Sequence, residues 1–152
     1  MARLKLGDVI EIPTSAGLAY GHYTNKHEEF GELLRVFAGL YRRRPADLGK
    51  VIGDVQFICF FPLHSAVKRK IVSIIGAHPV PTGVNEFPLF RAAGIPNPGT
   101  GELDWWLWDG SREWRVGSLT PDQRSLPIRS IWNEALLMDR IASGWRASED
   151  VV

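Results

Sequence analysis

The stretch that most constrains this chain is Leu6 to Tyr23, LGDVIEIPTSAGLAYGHY. Leu4, Leu6, Ile10 and Ile12 fall on even positions, with the charged Lys5 and Glu11 between them. A period of two predicts a half-buried strand. Pro13 has no N–H to give to a ladder, so the strand is expected to end there. Thr14-Ser15-Ala16-Gly17 supplies a turn in which Gly17 is free to take a positive φ. Leu18 to Tyr23 then reads as the return strand, carrying Tyr20 and Tyr23. The chain opens with a β-hairpin, and the rest of the chain must cover the hairpin's apolar face.

A length of 152 residues suits one domain, 1–152, with a single sizeable core. An apolar fraction of 45% and a charged fraction of 23% argue against disorder. A formal charge of +1 leaves no overall basic footprint of the kind a dedicated nucleic-acid binder carries. The single cysteine, Cys59, lies in the apolar run Val55–Phe61 and has no partner for an internal disulfide. It is read as a small buried hydrophobe rather than a reactive thiol. The first residues lead straight into a strand, and no window approaches a membrane span. A cytoplasmic location, away from membranes, is the expectation.

Further along, Asn25 to Glu32 is polar and reads as a loop. Leu33 to Tyr41 is apolar on both alternating sets apart from Arg35, which predicts a central strand ended by Arg42-Arg43-Arg44-Pro45. Ala46 to Asp54 is a linking loop, and Val55 to Phe61 is the most hydrophobic strand. Pro62 to Arg69 suits one helical turn, and Lys70 to Ala77 a strand. Between His78 and Gly101 five prolines and several glycines predict a long irregular crossing, apolar enough to lie pinned against the sheet. Leu103 to Val116 reads as a second hairpin: strand Trp105–Trp108, turn Asp109-Gly110, return Glu113–Val116. Thr120-Pro121-Asp122-Gln123 is a capping box for a short helix that stops at Pro127. Ser130 is expected to cap a longer helix with Ile131, Ala135, Met138, Ala142 and Trp145 on one face, and Gly144 to close it. The tail, 146–152, is expected to fray. Without βαβ alternation the predicted class is α+β and mostly β. It is a bent antiparallel sheet or small barrel-like core with a short helix and one longer C-terminal helix.

Catalytic signatures are missing. There is no G-x-S-x-G and no H-E-x-x-H. The run Gly94 to Gly101 has P-loop-like glycine spacing, but Thr100 stands where the lysine is needed. His22, His27, His64 and His78 are scattered, so no metal site is expected. Glu28/Glu29 and Glu149/Asp150 read as solvated carboxylates. No cofactor is expected. Two basic clusters, Arg42-Arg43-Arg44 and Lys68-Arg69-Lys70, would form a phosphate-binding or acid-binding patch if the fold joined them. Six tryptophans are present, three of them in Trp105-Trp106-Leu107-Trp108. Alternation puts Trp106 and Trp108 on one face and Trp105 and Leu107 on the other. Tryptophan beside arginine is the composition of a binding hot spot. The candidate partner-binding residues are therefore Trp106, Trp108, Arg112, Arg115, Arg42 and Arg43.

Gly7, Asp8, Ile12 and Pro13 on the first strand, together with Ala19, Tyr20 and Gly21 on the second, resemble the opening signature of the immunity protein 26 family. The order of later segments is also similar: the strand near Val55–Phe61, KIVSIIG from Lys70, FPLFR at Phe87–Arg91 and the tryptophan-rich hairpin. The resemblance spans Leu4 to Trp132. It implies a small bacterial cytoplasmic protein, mostly β with about two helices, from a polymorphic toxin system. Such a protein would bind a cognate protein toxin and neutralise it by occlusion, without catalysis. The signature residues would be structural. The Arg42–Arg44 run has no counterpart in that pattern. Two other readings stand beside it. One is a nucleic-acid-binding small barrel that uses the basic clusters and aromatics. The other is an enzyme with its site in the proline-rich crossing. The oligomeric state is left open.

Overall fold

A computed structural model describes residues 3–84 and 86–150. The architecture is α+β and mostly β, as the pattern predicts, with its strands divided between two antiparallel sheets. The larger has the order β4-β3-β2-β1-β5. It is built from β1 (Asp8–Thr14), β2 (Gly17–His27), β3 (Gly31–Phe37), β4 (Val55–Phe60) and β5 (Ser73–Ala77). The smaller has the order β6-β7-β8, from Phe90–Ala93, Trp105–Trp108 and Glu113–Gly117. A short helix α1 (Leu63–Lys68) and a ten-residue helix α2 (Glu134–Ser143) complete the frame.

The opening hairpin is present, with three differences from the pattern. Leu6 is exposed and lies before the strand, because Gly7 (φ +96°) turns the chain and Lys5 and Asp8 bond across that turn. The strand runs past Pro13 to Thr14, opposite Leu18 and Gly17. Pairing with β5 ends at Glu11, so the missing N–H of Pro13 breaks no bond on that side. And β1 is buried on both faces rather than one, with Val9, Ile10, Glu11 and Ile12 all inside. Ile10 and Ile12 join Ala19, Leu34, Val36, Phe57 and Cys59 beneath α1 and α2. Val9 joins Tyr20, Phe37 and Val51 on the opposite face.

Asn25 to Glu32 is not a loop. β2 continues to His27 and β3 starts at Gly31, with a register shift between Tyr23 and Asn25 absorbing the change of pattern. Only a tight turn at 28–30 remains. β5 starts at Ser73, not Lys70, because Lys70 takes a left-handed φ of 60° in the turn after α1. The proline-rich crossing is pinned to the sheet: the Arg35 guanidinium donates to the Val84 carbonyl at 2.8 Å. A piece in its middle is regular, as β6, because residues 90–93 pair with 105–108, while 94–101 stay irregular.

The capping box forms reciprocally. Thr120 N–H donates to Gln123 Oε1 (2.9 Å) and Gln123 N–H to Thr120 Oγ1 (3.3 Å), opening a single 3₁₀ turn. Ser130 does not cap the long helix. Asn133 does, accepting from Leu136 N–H at 2.7 Å, and Gly144 closes it in the left-handed conformation. Residues 127–132 instead run extended as a strap between the sheets. Arg91 N–H donates to Pro127 O and Arg129 N–H to Arg91 O along the edge of β6, and Trp132 N–H to Phe60 O at the edge of β4. Those open edges need partners, which is why the helix starts later. The tail is not frayed over 146–150. Ala147 is buried and Asp150 meets Arg140 at 3.5 Å; positions 151–152 lie outside the described residues. No described helix is long and apolar enough to cross a membrane.

Candidate partner-binding surface

Gly7, Asp8, Ile12, Tyr20 and Gly21 of the first hairpin are buried, and Pro13 is exposed. Gly7 forms the turn, and its carbonyl lies 3.0 Å from His22 Nε2. Asp8 accepts from Lys5 N–H. A Cβ on Gly21 would stand 2.6 Å from Leu34 Cδ1 and 3.1 Å from the Arg35 carbonyl, so β2 and β3 meet there only through glycine. The Tyr20 hydroxyl donates to Glu11 at 2.8 Å, and Arg44 grips both oxygens of the same carboxylate at 2.8 and 2.9 Å. Arg44 holds the Glu11 carboxyl below the usual range, and burial together with Glu11 raises the Tyr20 hydroxyl.

The smaller sheet gathers the tryptophans. Alternation in β7 holds, yet Trp105, Leu107 and Trp108 are all buried and Trp106 is half-buried. Both faces of β7 are covered. Trp108 packs among His27, Phe30, Phe60, Phe87 and Phe90, with ring centroids 4.8 to 6.0 Å away. This aromatic knot fastens the smaller sheet to the larger. Across the sheet, Arg91 is buried against Trp105 (5.2 Å) and donates to the Leu126 and Ala147 carbonyls. The exposed tryptophan is Trp114 on β8, 41% accessible, which alternation within β7 does not reveal.

The β7–β8 hairpin projects its tip into solvent. Asp109 Oδ1 accepts from Ser111 and Arg112 N–H at 2.9 and 2.7 Å, which fixes the turn and lowers the Asp109 carboxyl. Arg112, Glu113, Trp114 and Arg115 are exposed along it. Arg115 is bound at 2.8 Å by Asp104, and Glu113 at 2.8 Å by Arg129, whose guanidinium lies over Trp108 at 5.3 Å. Beside this pair is a cleft of about 420 Å³ lined by His27, Phe30, Trp108, Gly110, Glu113 and Arg129. His27 frames it rigidly: Nδ1 accepts from Glu29 and Phe30 N–H, and Nε2 lies 2.8 Å from the Gly110 carbonyl.

Arg42 and Arg43 are exposed but distant from this surface. Tyr41 bridges to Leu18 at one end of β2, whereas Trp108 packs on His27 at the other. Nine residues of extended chain separate those ends by roughly 30 Å. The two basic clusters are not joined either. Arg44 reaches Glu11 on the Val9 face of the sheet, and Arg69 reaches Glu134 of α2 on the opposite face. In the Gly94–Gly101 run the Gly99 and Thr100 N–H groups are taken by Asn97 Oδ1, which makes it an asparagine-organised turn. Glu28 and Glu29 lie exposed in the β2–β3 turn. Among the described residues no three His, Cys, Asp or Glu side chains group as metal ligands. No protein family, curated protein or solved structure matches this chain.

Proposed function

We propose that this protein is an immunity protein that binds a cognate bacterial toxin and occludes it without catalysis. The observation that carries the reading is the β7–β8 hairpin: one strand locked into an aromatic core, the other presenting Arg112, Glu113, Trp114 and Arg115 beside the Trp108–Arg129 cleft. A surface of aromatic and arginine side chains held on a rigid support loses little entropy on binding, which occlusion requires. The likeness of Gly7, Asp8, Ile12, Pro13, Tyr20 and Gly21 to the immunity protein 26 signature adds the toxin class, and a location in the cytoplasm comes from that likeness. Charge is mixed on this surface, so shape and paired charges rather than a strong field would select the partner.

The test is co-expression with the toxin domain encoded beside this chain in its own genome. Restored growth together with a co-purifying complex is the expected result. A toxin that still kills, and does not bind the purified chain, overturns the proposal. In a bound pair, Arg112→Glu is expected to weaken binding while leaving the thermal melt in place.

A further inference from the structure

The strands form an array whose inner edges, β4 and β6, are both covered by the 127–132 strap. Its outer edges are β5 and β8. The β1–β5 ladder is broken by a register shift at Val9 and Ile10, a device that twists an edge away from new partners. β8 is different. Glu113, Trp114 and Arg115 pair regularly with Trp108, Leu107 and Trp106, and all three are exposed.

The hydrogen-bond phase of this hairpin fixes which backbone groups are open. Asp109 N–H donates to the Arg112 carbonyl, so that pair is a bonded one. Bonded and non-bonded pairs alternate in an antiparallel ladder. Trp114 therefore directs its N–H and C=O toward β7, while Glu113 and Arg115 direct theirs outward. An incoming strand must meet those two residues. The segment Glu113-Trp114-Arg115 is complementary to itself when reversed. With a two-fold axis at Trp114, Glu113 of each copy faces Arg115 of the other as a bonded pair, and the two Trp114 rings meet across the axis. Moving the axis one residue to either side opposes Glu113 to Glu113 or Arg115 to Arg115. Like charges directly opposite are unfavourable, so the sequence selects a single register.

We infer that β8 is the edge through which two copies of this chain associate, antiparallel, into a continuous six-stranded sheet centred on Trp114. Glu113 and Arg115 are already held by Arg129 and Asp104, so each new pair would extend a chain of four alternating charges. The contact is short, which places it among weak, concentration-dependent interfaces. The inference does not rest on the toxin reading, since it concerns the free protein.

Sedimentation of the purified chain over a rising concentration series tests it. The average mass is expected to climb from that of one chain toward two. Glu113→Arg and Arg115→Glu are each expected to stay monomeric, because each homodimer then opposes like charges, an association weaker by about tenfold or more. Mixed in equal amounts, the two variants are expected to associate again, since the arginine introduced in one then faces the glutamate introduced in the other. Unchanged melts of the single variants show that the fold is kept. A wild type that remains one chain throughout, single variants that dimerise like wild type, or a mixture that stays monomeric each overturns the inference. A failure of toxin protection with dimerisation intact would count against the proposed function alone.

Discussion

In the five-stranded sheet, β1, the middle of β2 and β3 are sealed on both faces; in the three-stranded sheet the last strand is open on both. The contrast extends to how polar groups are held. Glu11, His22 and Arg35 are buried in the larger sheet, and each is bound by a named internal partner. The charges of β8 are bound too, but only by side chains that are themselves partly wet. Aliphatic packing dominates the first region and aromatic packing the second. The difference separates two tasks. A sheet closed on both sides contributes stability and offers nothing to a partner. A sheet whose inner strand is locked and whose outer strand is bare holds a surface in place for contact.

The joint between the regions is the place to break the comparison. Phe60 belongs to β4 yet packs on Phe90, Phe87, Phe30 and Trp108 of the aromatic knot. Phe60→Ala is expected to cost about 3–5 kcal/mol. Chemical denaturation followed by tryptophan fluorescence and far-UV circular dichroism should show one coincident transition at lower denaturant. Two separated transitions would mean that the smaller sheet unfolds on its own. Gly21→Ala tests the closed region alone. Leu34 is fully buried and has nowhere to move, so the crowding is expected to cost about 1–3 kcal/mol.

Tyr20→Phe should cost about 1.5 kcal/mol or somewhat more at neutral pH, since it removes a buried hydrogen bond to a carboxylate. This loss has a pH signature. Glu11 binds its proton less readily folded than unfolded, so its stabilisation is present above the ordinary carboxylate range and disappears as pH falls through the lowered folded value. The gap between wild type and Tyr20→Phe should therefore narrow in acid. A gap that is flat down to strong acid would show that Glu11 is not the linked group. At the small end, Trp114→Thr should change stability by less than about 0.5 kcal/mol, as expected of an exposed site, while abolishing self-association. A large loss of stability there would place Trp114 with the closed region instead.

Local chemistry was legible wherever a few neighbouring residues decide the outcome. The turn at Thr14–Gly17, the Asp109-Gly110 hairpin, the Thr120–Gln123 capping box and the Gly144 cap all read directly from sequence. What misled was long-range. β1 looks one-sided because Glu11 is charged, yet Arg44, thirty-three positions away, allows it to be buried. Ser130 looks like a cap until the edges of β4 and β6 claim the backbone around it. β6 is hidden among prolines because its partner lies in β7. The exposure of the candidate residues divides for the same reason. Arg112 and Arg115 are exposed, whereas Trp108 is absorbed by phenylalanines from three separate segments, and the exposed ring is on the return strand.

The burial of Cys59 has a practical consequence. Its side chain sits near the end of β4 in the core beneath the helices, fully inaccessible, and burial pushes its thiol well above the ordinary range. A thiol reagent therefore cannot modify the closed molecule. Since the chain has one cysteine, every labelling event records one opening of that core. With reagent in excess, the labelling rate becomes a clock for the rarest fluctuation of the closed sheet, read without denaturant and without engineering a probe.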